Sequence, residues 1–206
     1  MMDRKDISLV SVVTQLDNLF EVFNNEFYNG ELQKPIITVS PDTTSGAYGW
    51  ATSWKAWQHD GVEDGLYEIN ICAEHLNRPF EDICETLLHE MVHLWNLQND
   101  IKDTSRGGKY HNKKYKDSAE QHGLNVQQDS KYGWTITSLN EVAKGVIGKV
   151  NGDVFQMHRT KIVKVASKRK SSSRKYVCPM CGLSIRATKE VNIVCGDCQE
   201  TMKVEE

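Results

Sequence analysis

The stretch Leu87-Leu88-His89-Glu90-Met91-Val92-His93-Leu94-Trp95 constrains this chain more than any other. Apolar residues recur on one broad face from Phe80 to Leu97, the pattern of an amphipathic helix. Ile83, Leu87, Leu88, Met91, Val92 and Trp95 make that helix largely buried. Two imidazoles and a carboxylate inside such a helix are costly unless something partners them. On a helix, residues i and i+4 lie one above the other, so His89 and His93 present two rings to a common point. Zinc accepts neutral imidazole at about 2.0–2.1 Å, and catalytic sites combine three protein ligands with one water. Glu90 follows the first histidine and points to the side of the pair, within reach of that water. The expected chemistry is metal-assisted hydrolysis: Glu90 takes the water's proton, a carbonyl is attacked, and the proton passes to the leaving amine. The competing reading keeps both histidines as core hydrogen-bonders and turns Glu90 to solvent.

A third ligand is required, and spacing alone leaves three candidates: His111, Glu120 and His122. Gly107-Gly108 breaks the chain, and a second, polar helix is expected over 109–122, closed by Gly123. His111 begins that helix, and His122 falls about three turns later on nearly the same face. Tyr115, Lys109 and His122 are candidate donors to a developing oxyanion, although Tyr115 fits packing better.

Upstream, Leu9, Val12, Val13, Leu16, Leu19, Phe20, Phe23 and Phe27 predict a long helix over 7–28, ended by Asn29-Gly30. Strands are expected at 36–40, 47–52 and 66–71, with Trp54 and Trp57 packed in the connection. Trp134 to Thr137 reads as a last short strand, and 146–165 as a turn or hairpin. Cys72 and Cys84 sit among apolar residues and read as buried small side chains.

The other four cysteines form Cys178-Pro179-Met180-Cys181 and Cys195-Gly196-Asp197-Cys198, with 13 residues between the pairs. Two such turns place four thiolates on one zinc with no open position, which makes it structural. Leu183 to Thr188 and Val191 to Val194 are expected to pair as a hairpin between the knuckles. A module this small buries too little apolar surface to fold without its metal.

Charge is unevenly distributed. Residues 1–158 carry 14 Lys/Arg against 23 Asp/Glu, a balance of −9. Residues 159–175 hold eight cations (Arg159, Lys161, Lys164, Lys168, Arg169, Lys170, Arg174 and Lys175) and no acid. That stretch reads equally as a solvated linker or as a polyanion contact, with Arg186 of the ribbon beside it. No apolar run approaches the roughly 20 residues of a membrane span. No signal-like segment opens the chain, so the expected setting is cytoplasmic, with DNA association possible through the basic stretch.

The run from Leu87 to His93, followed by Ile101-Lys102-Asp103-Thr104-Ser105-Arg106-Gly107-Gly108-Lys109-Tyr110-His111-Asn112-Lys113-Lys114-Tyr115, resembles the SprT-like metalloproteases. In that family the helix is followed by a Gly-His-x-x-x-aromatic stretch. Here Lys109-Tyr110 separates Gly108 from His111, a small departure. The resemblance extends through Tyr48-Gly49-Trp50, Glu68-Ile69-Asn70, Gly123-Leu124 and Gly133-Trp134-Thr135, covering about 7–140. It implies that His111 is the third ligand, that the fold is zincin-like, and that substrates are proteins, including ones crosslinked to DNA. No Met-turn signature of a metzincin follows.

The sequence therefore predicts an α+β protein. A zincin-like metalloprotease domain at 1–145 is followed by a basic connecting segment at 146–175 and a four-cysteine zinc ribbon at 176–206. Two zinc ions are expected, one catalytic (His89, His93, His111, with Glu90) and one structural (Cys178, Cys181, Cys195, Cys198). The alternative is a non-catalytic zinc protein that binds nucleic acid or a protein partner.

Overall fold

The computed structural model describes residues 7–42, 46–160 and 173–205, and the chain divides into two compact units after residue 161. Of the basic stretch, Lys161, Lys164, Lys168, Arg169 and Lys170 lie outside the described residues. Among the described residues, four α-helices and several small sheets make up a mixed α and β protein.

The first unit opens with α1 (Leu9–Phe27), where the Ser8 side chain accepts the Val10 N–H and caps the first turn. Val12, Leu16, Leu19, Phe20 and Phe23 form its buried stripe. Asn24 is buried and bonds Leu32 twice, donating to its carbonyl and accepting from its N–H, both at 3.0 Å. This pins the turn that leads into β1 (Ile36–Ser40). Next come β2 (Gly49–Ala51), a hairpin of β3 (Trp57–His59) and β4 (Val62–Leu66), and β5 (Glu68–Cys72). Strand β5 is central in its sheet, parallel to β1 and antiparallel to β2, which leaves β2 on the outside. Trp54 and Trp57, expected to pack, are 64% and 44% exposed, because the β3–β4 hairpin pairs only with itself among the described residues.

Helix α2 (Phe80–Gln98) crosses the centre of the unit. It touches α1, β2 and β5 on one side, and α3 (Lys113–Gln121), β8 (Leu124–Asp129), β9 (Gly133–Leu139) and α4 (Glu141–Ile147) on the other. Together with β6 (Thr104–Ser105) and β7 (Tyr110–His111), these strands form a second sheet in the order β6-β7-β9-β8. Ile83, Cys84, Leu87, Leu88, Met91 and Val92 are fully buried, and so is Cys72 on β5.

The helix expected over 109–122 starts only at Lys113. Tyr110 and His111 are strand residues instead: Thr104 pairs with His111, and the His111 N–H donates to the Tyr132 carbonyl at 2.9 Å. Asn112 then accepts from Lys114 and Tyr115 and caps α3. Gly133, at φ +78°, permits this arrangement. A Cβ there would lie 2.2 Å from the His111 carbonyl oxygen, so only glycine lets β9 run beside β7. Residues 146–160, expected to begin the connecting segment, pack on the first unit: Ile147 and Phe155 join its core. Arg159 bonds Glu74 at 2.8 Å.

In the second unit β10 (Arg174–Val177) is flanked by β11 (Ser184–Ala187) and β12 (Lys203–Glu205), both antiparallel. The expected hairpin between 183–188 and 191–194 does not form. β11 pairs with the strand that enters the first knuckle, and Val194 makes only an isolated bridge to Thr201.

Candidate metal centre and cleft

Helix geometry places His89 and His93 one turn apart, with ring centroids 5.1 Å from each other. The two-residue strand β7 brings His111 to the same point, 5.2 Å from His89 and 4.9 Å from His93. One nitrogen of each ring lies within 4.8 Å of the others. Glu120 is exposed and ion-paired with Lys116, and His122 is buried, stacked on Tyr28 at 4.3 Å. Of the three candidates for a third imidazole or carboxylate, only His111 joins the pair.

The far side of each ring shows how it is held. His93 Nδ1 lies 2.7 Å from Asp103 Oδ2. Asp103 also accepts from Asn96 Nδ2 at 3.1 Å, and Asn96 Oδ1 accepts from Ser118 Oγ at 2.6 Å. His89 Nδ1 lies 3.1 Å from Thr137 Oγ1. The Nε2 atom of His93 therefore faces away from its anchor and stands 3.0 Å from Nε2 of His111. Four ligands at 2.0–2.1 Å in a tetrahedron have edges of about 3.3 Å, so this spacing suits a shared zinc ion. Tyr115 is fully buried behind the three rings, its own ring 4.6–4.9 Å from theirs. It packs, as expected, and does not line the cleft, nor do Lys109 and His122.

Electrostatics agree with the geometry. Burial pushes His89 well below the ordinary imidazole range, and burial with the nearby His93 takes His111 down to about 4. Both are then neutral near pH 7, as metal ligands must be. Burial also acts to lower His93, yet its bond to Asp103 and the Glu90 charge bring it above the ordinary value. Burial would raise Asp103, but its hydrogen bonds to His93 and Asn96 hold its carboxyl below the usual range. The carboxylate is thus ionised and orients one ring nitrogen, as carboxylates behind metal-bound histidines do.

Glu90 does not face solvent: it is 7% exposed and lines the floor of a cleft of about 940 Å³. Burial lifts its carboxyl to about 7, partly offset by His93 and by the Ala51 backbone N–H. The cleft is lined by Gly49, Trp50 and Ala51 of the outer strand with Thr52 after it, by the three histidines, and by Thr135 and Thr137 of β9. Leu97, Ile101 and Lys102 also line it. Asp103, Thr137 and the β2 edge were not visible as site residues in the sequence. The sequence offered only two carboxylates, Asp100 and Asp103, between His93 and His111.

In the second unit Cys178, Cys181, Cys195 and Cys198 bring their sulfurs within 4.8 Å of one another, and none of the six cysteines is disulfide-bonded. Cys181 and Cys195 are 3.7 Å apart, close to the tetrahedral edge of about 3.8 Å that zinc–sulfur bonds of 2.3 Å give. Both knuckles close with backbone bonds, Gly182 N–H to Cys178 and Gln199 N–H to Cys195. The Cys181 and Met180 N–H groups help bring the Cys178 thiol down to about 7. The donor set fits a structural zinc ion.

A helix with two imidazoles and a buried carboxylate, a third imidazole folded onto them, and an open cleft alongside define a protein with a hydrolase-like candidate metal centre. The family model described as SprT-like matches residues 16–135, and the chain belongs to that family. That span holds His89, Glu90, His93, Asp103 and His111 and stops short of Thr137 and the cysteine unit. No curated protein matches the chain. None of the described helices is long and apolar enough to cross a membrane.

Proposed function

We propose that the chain is a zinc-dependent endopeptidase of zincin-like architecture, with Glu90 as its general base and His89, His93 and His111 as the ligands of its catalytic metal. The observation that carries this reading is Glu90 itself: a buried carboxylate on the cleft floor beside three converging imidazoles. Among the described residues it has no structural partner that would justify its burial, apart from a single backbone N–H. When bound there, zinc supplies polarisation of a carbonyl and activation of water at neutral pH. Glu90 accepts the proton of the attacking water on its carboxylate and returns it to the leaving amine nitrogen. Asp103 holds His93 in the tautomer whose Nε2 is free. β2 is the outer strand of its sheet, so an extended peptide can add along it and lie over Glu90. That geometry favours a polypeptide substrate over a small molecule.

DNA-associated proteins are the substrate class we favour, because the family resemblance and the basic stretch over 159–175 point the same way. Of the three cations there that the structure describes, Arg159 and Lys175 have acidic partners within their own unit, Glu74 and Glu205. The other cations of the stretch, with the cysteine unit, would carry the DNA contact.

The test is cleavage of casein and of histone by zinc-loaded protein, with and without single-stranded DNA, beside Glu90→Gln. Glu90→Gln is expected to keep two zinc ions and lose about 10²–10⁴-fold in rate, the usual worth of a general base. Equal cleavage by Glu90→Gln would refute the role given to Glu90. No cleavage by either protein, with DNA binding intact, would favour the non-catalytic interaction factor.

A further inference from the structure

We propose that Thr137 is the positioning residue of His89, held for that task by Glu85. The inference rests on the reading of the three histidines as a metal centre, and deepens it.

Thr137 lies on β9, 48 positions from His89 in the chain, with its hydroxyl 3.1 Å from His89 Nδ1. The same hydroxyl is hydrogen-bonded to Glu85 Oε1. Glu85 sits one helical turn before His89 on α2, so Glu85, Thr137 and His89 close a small ring between helix and strand. The direction of the bonds follows from the donor inventory. A carboxylate only accepts, so the single hydroxyl proton of Thr137 goes to Glu85. Thr137 Oγ1 is then left as an acceptor, and His89 must meet it with Nδ1–H. That fixes the tautomer whose Nε2 carries a lone pair. His93 reaches the same tautomer through a carboxylate directly, whereas His89 reaches it through a neutral hydroxyl that adds no charge behind the ring. His111 has no such anchor among the described residues, since its Nδ1 is buried without a hydrogen-bond partner. Two of the three rings are thus preset by their surroundings, and the third is delivered by the β7 backbone. Outer partners of metal-bound histidines are worth about 10–100-fold in metal affinity.

Thr137 also borders the cleft, so loss of activity on its replacement would not separate positioning from substrate contact. Two other readouts do. Full-length protein is stripped of its histidine-site metal by mild chelation while the cysteine-bound zinc is retained. Zinc uptake is then titrated against a chromophoric chelator, and the tautomer of His89 is read from ¹⁵N-imidazole NMR of the same sample. Thr137→Val, which keeps the shape of the side chain and removes the hydroxyl, is expected to bind the second zinc about 10–100-fold more weakly. Its His89 is expected to lose the single Nδ1–H tautomer. Thr137→Ser restores both, and Glu85→Leu shifts both in the direction of Thr137→Val. Wild-type affinity in Thr137→Val, or an unchanged tautomer, overturns the proposal; wild-type behaviour of Glu85→Leu overturns the part given to Glu85. If wild type takes up no second zinc, the metal-centre reading fails by itself, and the tautomer comparison still decides on Thr137.

Discussion

Gly49 lies 41 residues from Glu90 in the chain, yet substituting it should impair the cleft. A Cβ at Gly49 would stand 2.8 Å from the Asn70 carbonyl oxygen, 3.0 Å from Thr86 Cγ2 and 3.4 Å from Glu90 Cγ. The first of these is backbone of the central strand β5, which is packed on both sides and cannot yield. An ordinary carbon–oxygen contact is about 3.3 Å or more, so β2 must move by roughly 0.5 Å. Overpacking of this kind costs about 1–3 kcal/mol. For a domain of this size that is a fall of roughly 2–12 °C in the melting temperature of the first unit. The same displacement shifts the Ala51 N–H against Glu90. If a misplacement of about 1 Å costs about 10²-fold in rate, half of it costs about tenfold. The assay is thermal unfolding and casein cleavage of Gly49→Ala, both with zinc present. Gly145→Ala is the control: nothing lies within 4 Å of its Cβ on α4. It should be neutral or gain about 0.5–1 kcal/mol, as alanine does over glycine in a helix. Gly49→Ala with wild-type melting and wild-type cleavage would show that β2 does not depend on close contact with α2.

Asp103→Ala should weaken the histidine-site zinc by about 10–100-fold, because it leaves His93 Nδ1 and Asn96 Nδ2 without their acceptor; chelator competition measures it, and unchanged affinity contradicts the assignment. Cys195→Ser should cost one zinc ion and unfold the cysteine unit while the other zinc stays, read by metal analysis and by loss of thiolate-to-cobalt absorption in the cobalt form. The Glu74 carboxyl is held below its ordinary value by the Asp42 N–H and by Arg159, against the cost of burial. Its stabilising contribution is therefore present above the unfolded carboxyl range near pH 4.3 and lost as pH falls through the lower folded value. The melting difference between wild type and Glu74→Gln should accordingly be widest near neutrality and shrink below about pH 4; a difference independent of pH contradicts the ion pair's role.

The sequence by itself determined what short-range geometry controls. Apolar spacing located α1 and α2 to within two residues, because a period of 3.6 is a property of the local chain. The same period put His89 and His93 on one face before any fold was known. The two Cys-x2-Cys turns are equally local, so the four sulfurs of the second unit were legible from spacing. Tertiary structure decided the rest. Whether His111, Glu120 or His122 reaches the pair depends on a loop that becomes strand, not helix, because Gly133 admits the His111 carbonyl and β9 pairs with β7. Asp103 behind His93 and Thr137 behind His89 come from segments 10 and 48 residues away, brought there by packing against α2. The burial of Glu90 depends on how closely β2 lies, which rests on the missing side chain of Gly49. Each of these is a contact between elements whose relative placement is settled by the whole core, and no periodicity within one segment records it.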